Sequence, residues 1–252
     1  MKIFLTLSYI GTDFCGYQVQ PNARTVQGEL NAAAQSLFGF ECDITGCSRT
    51  DTGVHANTFC ATITKKGFQC LETNMDIGRV PLALNAHLPC DIAVKDARYV
   101  SEDFHPRYDV KHKEYVYRIY NSQTRSPLEH GRAWHIPYLF SDADIERMNN
   151  AAEIFVGTHD FSAFMASGST VESTVRTVSY AKVDKNGDVI TFTVAADGFL
   201  YNMVRIMTGT LADVGKGKIA PSDISEIIAS CDRKRAGMTA PPHGLYLNNV
   251  VY

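Results

Sequence analysis

Apolar and polar residues alternate along residues 2–9, with Ile3, Leu5 and Leu7 on one side, as in a strand with one buried face. Residues 11–21 break the alternation with Gly11, Gly16 and Pro21 and read as a loop. From residue 25 the period becomes helical. Val26, Leu30, Ala33, Ala34 and Leu37 share a face, Thr25 is placed to cap the helix, and Gly39 to end it. Short strands are predicted at 42–46, 58–64 and 92–99, and a helix at 74–85 that Gly78 and Pro81 weaken. The later half repeats the order. It shows a strand at 113–120, a helix from Ser141 to about 155, and a hairpin of strands 177–183 and 189–195 turning at Lys185-Asn186-Gly187. A helix at 200–214 followed by Gly215, a shorter one at 221–229 and a closing strand at 246–251 complete it.

Each half thus reads strand, helix, strand, strand, helix, strand, which is the split βαβ pattern of a ferredoxin-like unit. The predicted fold class is α+β: two ferredoxin-like halves, 1–105 and 106–252, with joined antiparallel sheets and a central cleft. Residues 101–112, rich in charge, His and Pro, join them.

Composition narrows the picture. A 252-residue chain with 45% hydrophobic and 20% charged residues can bury a core, so disorder is excluded. The net charge of −3 excludes a surface that is basic throughout. Any nucleic acid would have to be held by a local, segregated basic cleft. Seven cysteines without a C-x-x-C pair argue for reduced thiols acting as small core residues. Cys42, Cys47 and His55 lack a fourth ligand at metal-site spacing, so no metal is expected. Thr6 and Ser8 break the apolar start, and no run reaches membrane length, so a soluble, cytoplasmic protein without membrane attachment is expected.

The richest stretch chemically is Cys47-Ser48-Arg49-Thr50-Asp51-Thr52-Gly53-Val54-His55-Ala56. Its residues make a poor strand and a poor helix, hence a loop. One reading is an ordinary turn, with Asp51 bonding its own backbone and Gly53 at positive φ. Asp51-Thr52-Gly53 also matches the aspartic-protease triplet. That chemistry needs two carboxylates sharing a proton, and this chain has one such triplet. Arg49 would moreover hold the carboxylate ionised, which defeats a shared proton.

The longer string Arg49-Thr50-Asp51-x-Gly53-Val54-His55-Ala56 resembles the active-site signature of the tRNA pseudouridine synthase A family, which usually has Gly where Ser48 stands. Four further segments, in the right order, resemble that family's motifs: Gly16-Tyr17-Gln18, the strand Lys113–Asn121, Phe199-Leu200-Tyr201-Asn202-Met203-Val204-Arg205, and Ala240-Pro241-Pro242-His243-Gly244-Leu245-Tyr246-Leu247. The resemblance spans nearly the whole chain. It implies a cofactor-free isomerase that turns uridine into pseudouridine at positions 38, 39 and 40 of the tRNA anticodon arm, working as a homodimer. It casts Asp51 as the catalytic carboxylate, Arg205 as its cationic partner and Tyr115 as the base platform. Three routes are open to such a carboxylate: attack at C1′, addition to C6, or removal of the C2′ proton.

The residues themselves allow plainer roles. Arg205 could be a helix-surface cation, Tyr115 a core tyrosine like Tyr117 on the same strand face, and Leu245 core packing rather than a wall for uracil. Arg49 is placed either to contact RNA or to fill the space a flipped base leaves, or else to form a salt bridge within its loop. His55 and His243 read as structural. Arg233-Lys234-Arg235 is a candidate phosphate-tracking run, although short basic runs are commonly solvated faces. Two rivals remain: a homodimeric aspartic hydrolase built on Asp51, and an RNA-binding module that kept the fold without catalysis.

Overall fold

The structure, a computed structural model, describes residues 1–168 and 171–252. They form two compact units: Met1–Lys111 with Tyr246–Tyr252, and His112–Leu245.

In the first unit, strand β1 (Lys2–Tyr9) lies between β3 (His55–Lys65) and β4 (Ile92–Val100), antiparallel to both. Strand β2 (Cys42–Gly46) pairs antiparallel with the later part of β3. The start of β3 pairs in parallel with β10 (Leu245–Val251), through Tyr246↔His55 and Leu247↔Ala56. The sheet is therefore mixed rather than purely antiparallel. Sequence order puts the last strand in the second half. Its residues from 246 onward instead belong to the first unit, because they complete the edge of β3. Beyond β10, Tyr252 lies edge-on to Phe4, with ring centroids 5.3 Å apart.

Helix α1 (Val26–Phe38) runs as its period predicts. Thr25 Oγ1 accepts from the Gly28 amide at 3.2 Å, and Gly39 ends the helix in the left-handed region. The predicted helix at 74–85 is shorter. A 3-10 turn (Ile77–Arg79), capped by the Asp76 carboxylate, precedes α2 (Val80–Asn85). Pro81 sits in the first turn of α2, where its missing N–H costs nothing. It starts the helix instead of interrupting it. Ile3, Leu5, Leu7, Phe59, Ala61 and Ile63 are buried with Val26, Leu30 and Val80 of the helices. Each of these side chains larger than alanine contributes about 1.5–3 kcal/mol.

The second unit carries antiparallel strands in the order β5 (His112–Asn121), β9 (Val189–Ala196), β8 (Val175–Asn186) and β7 (Gly157–Asp160), with β6 (Trp134–Ile136) parallel to β5. Strands β6 and β7 are too short for a period to reveal. Helix α3 (Asp142–Glu153) starts from a capping box in which Ser141 and Asp144 serve each other's backbone. Helix α4 (Met203–Gly215) begins three residues later than predicted, because Asn202 takes a left-handed conformation at φ 60°. It is buried on almost every side, and the Thr208 and Thr210 hydroxyls donate to carbonyls one turn back. Helix α5 (Asp223–Ser230) follows.

Two expectations need correction. In the basic run, Arg233 donates to the Gly237 carbonyl at 2.9 Å and to Thr239 Oγ1 at 3.1 Å, while Arg235 pairs with Glu226 at 3.2 Å. Arg233 is thus tied to its own loop, and Arg235 is part of an exposed ion pair, so the run is not a row of unengaged cations. Of the seven free cysteines, only Cys42, Cys47 and Cys60 are core residues; Cys15, Cys90 and Cys231 are exposed.

Candidate active site

Asp51 lies in the connection 47–54 of the β2–β3 hairpin. That connection is fixed along its length. The Cys47 amide donates to the Cys60 carbonyl (2.8 Å), and the Tyr17 amide to the Thr50 carbonyl (3.1 Å). The Thr50 and Tyr9 hydroxyls meet at 2.7 Å in a buried bond. The Val54 amide donates back to the Asp51 carbonyl at 3.1 Å, with Gly53 at φ +79°. The turn anticipated from Asp51 and Gly53 thus exists, and it presents the Asp51 side chain half-buried at its first corner.

The loop rests on residues 11–17. Gly16 has φ +84°, and a Cβ there would lie 2.7 Å from the Thr50 carbonyl oxygen. A Cβ on Gly11 would overlap the Val54 carbonyl. Only glycine lets the two segments approach this closely. The Gly11 amide donates to His55 Nδ1 at 2.9 Å. His55 is fully buried and its ring stacks on Tyr246 at 4.6 Å. His55 is therefore a structural residue. Tyr17 stacks on Phe59 at 4.4 Å. In sequence, Gly16-Tyr17-Gln18 is only a point of resemblance; in the fold it is the foundation of the Asp51 loop. Arg49, two residues before Asp51, is exposed.

Tyr115, Arg205 and Leu245 belong to the second unit. Tyr115 and Tyr117, on the same face of β5, differ in burial and in partners. Tyr117 is fully buried, and its hydroxyl donates to the Pro241 carbonyl at 2.7 Å. Burial pushes its phenol far above the usual range, against the opposing charge of Arg205. Tyr115 is 7% exposed, with its ring edge-on to Phe199 at 4.9 Å. Leu245, at the start of β10, is equally buried.

Arg205 is half-buried on α4. Its Nε donates to the Ala240 carbonyl (2.7 Å) and Nη1 to Asn202 Oδ1 (2.6 Å). The Ala240 amide returns a bond to the Arg205 carbonyl at 3.1 Å. Asn202 thus holds the Arg205 guanidinium, a contact that sequence reasoning missed. The one signal was an asparagine three residues before the arginine, able to take the left-handed conformation and still reach it.

His243 has a depressed pKa, first through burial, then through the charges of His130 and Arg205. The unfolded chain binds this proton more readily. Its contribution to stability is therefore complete above pH 6.5, the ordinary His value, and falls as pH drops below it towards the folded value. Urea unfolding at pH 7.5 and 5.5 should show this decline, and His243→Gln should flatten it.

Among the described residues no group of three or more His, Cys, Asp or Glu could hold a metal ion. None of their helices is long and apolar enough to cross a membrane.

Comparison with known proteins gives a consistent answer. A family model described as tRNA pseudouridine synthase matches residues 6–109 and 151–252. A protein of Thermoanaerobacter sp. strain X514 named tRNA pseudouridine synthase A is 45% identical over 251 residues, covering 100% of this chain and 99% of that one. Proteins of the same name from Acetivibrio thermocellus and Bacillus licheniformis are 46% and 42% identical at the same coverage.

Proposed function

This chain belongs to the tRNA pseudouridine synthase family, and on that premise we propose that it isomerises uridine to pseudouridine at positions 38, 39 and 40 of the tRNA anticodon arm, using Asp51 and no cofactor. In the reaction the N1–C1′ bond breaks, a C5–C1′ bond forms, C5 gives up its hydrogen as a proton and N1 gains one. Nothing is oxidised or reduced. The chain's own task is therefore to hold the uridine out of its stack, supply a carboxylate and keep water in check.

The observation that carries this reading is the Asp51 loop itself, which matches the family signature at seven of the eight positions 49–56 and is held by main-chain bonds to residues 11–17. A preorganised carboxylate loses little by fixing itself against the substrate. In this reading Arg205 keeps Asp51 charged, Tyr115 carries the uracil ring, Leu245 walls it, and Arg49 engages the RNA near the flipped nucleotide. The enzyme acts in the cytoplasm as a homodimer that takes the anticodon arm of one tRNA. Tritium release from tRNA labelled at uracil C5 tests the reaction directly. Release confined to transcripts that keep uridines 38–40 supports it, and no release with any tRNA would overturn it.

Asn202 provides a second test. Asn202→Ala removes the acceptor that orients the Arg205 guanidinium and strains the left-handed cap. A hydrogen bond to a charged group is worth about 1.5–3 kcal/mol, so kcat should fall roughly tenfold or more while KM for tRNA changes little. Asn202→Asp, which keeps the acceptor, should restore most of the rate. A loss of thermal stability alone, with kcat intact, would leave Asn202 merely structural.

A further inference from the structure

A hollow of about 220 Å³ opens in the first unit beside Arg49, His105, Arg107 and Tyr108, with Tyr17 and Gln18 also in its lining. None of its lining residues is acidic. Neither arginine is ion-paired among the described residues. In a chain of net charge −3 this is a local segregation of positive charge. His105 Nδ1 accepts from the amides of Arg107 (3.1 Å) and Tyr108 (3.3 Å), so the neutral ring carries its proton on Nε2, as a donor. Tyr108 is 77% exposed, yet its ring is held flat against His105 at 4.3 Å.

The geometry points to a nucleotide subsite next to the target uridine. The Arg49 and Arg107 guanidiniums and His105 Nε2–H take one backbone phosphate, and Tyr108 stacks an unpaired base. The subsite rests on the reading of the chain as a tRNA-modifying enzyme. It accounts for how an acidic protein holds RNA without a basic surface, and it ties Arg49 to a phosphate.

The test is the affinity of the full-length chain for a fluorescently labelled anticodon stem-loop RNA, measured by anisotropy across a salt series. Arg107→Gln should raise Kd about tenfold and lower the salt slope by about 0.7–0.9, one phosphate contact. Arg107→Lys should keep the slope. Tyr108→Ala should raise Kd about tenfold with the slope unchanged. The surface control Lys182→Gln should alter none of these. Arg107→Gln and Tyr108→Ala that both bind within twofold of the parent would overturn the subsite. A parent chain that binds the stem-loop but releases no tritium would sink the reaction, while the variants' affinities would still uphold the subsite.

Discussion

Replacing Asp51 with asparagine is expected to cut pseudouridine formation by at least about 10²–10⁴-fold and to leave tRNA affinity within about threefold of the parent. The carboxamide has the shape of the carboxylate but no charge. It can neither attack carbon nor accept a proton at useful rates. The loop should survive the change, because its position is set by the Tyr17–Thr50, Val54–Asp51 and Tyr9–Thr50 bonds, which do not involve the Asp51 side chain. Tritium release and anisotropy on one preparation separate the two quantities. An Asp51→Asn protein with full activity would remove the catalytic assignment. A parent protein that binds tRNA without turnover would instead favour the RNA-binding module that lost its chemistry.

Gly11→Ala should be the most damaging single methyl group in the first unit. The new Cβ would overlap the Val54 carbonyl oxygen and stand 2.7 Å from its carbon. Both are backbone atoms, so no side chain can rotate away. Either the end of β1 or the start of β3 must move, and the Gly11–His55 bond is stretched. Overpacking of this kind costs about 3 kcal/mol, a fall in Tm of roughly 6–12 °C for a chain of this size. The displaced residue next to Val54 is part of the turn that aims Asp51. A shift of even 1 Å at a reacting group can cost about 10²-fold in rate. Melting curves and initial rates should fall together. A variant that melts like the parent would show that the loop is softer than its hydrogen bonds imply.

How much of this was legible in the sequence follows from how local each signal is. Strand β1 and helix α1 could be read because their periods run for eight and thirteen residues and Thr25 and Gly39 mark the ends. Asp51 stood out because its signature is contiguous. Strands β6 and β7, of three and four residues, exist only through their partners, β5 and β8. Asn202 delayed α4 by adopting a conformation that most residues avoid, and no period reports that. Arg233 read as a free cation because its acceptors, the Gly237 carbonyl and Thr239, come into reach only once the chain turns back. The hollow beside Arg49 was invisible for the same reason, since residues 17, 49 and 105–108 are gathered from distant parts of the chain.

The return of residues 246–252 to the first unit also sets a schedule on the ribosome. Residues 112–245 are contiguous and can close as soon as they emerge. The first unit is synthesised earlier yet must wait, because the partner of His55 in β3 and the Tyr252 ring against Phe4 are supplied only after the whole second unit has been made. Until then the strand that follows the Asp51 loop keeps an open edge, the kind that recruits stray chains. A nascent chain stalled short of residue 246 is thus a client for chaperones, and translation of the second unit acts as a timer on when the first can mature.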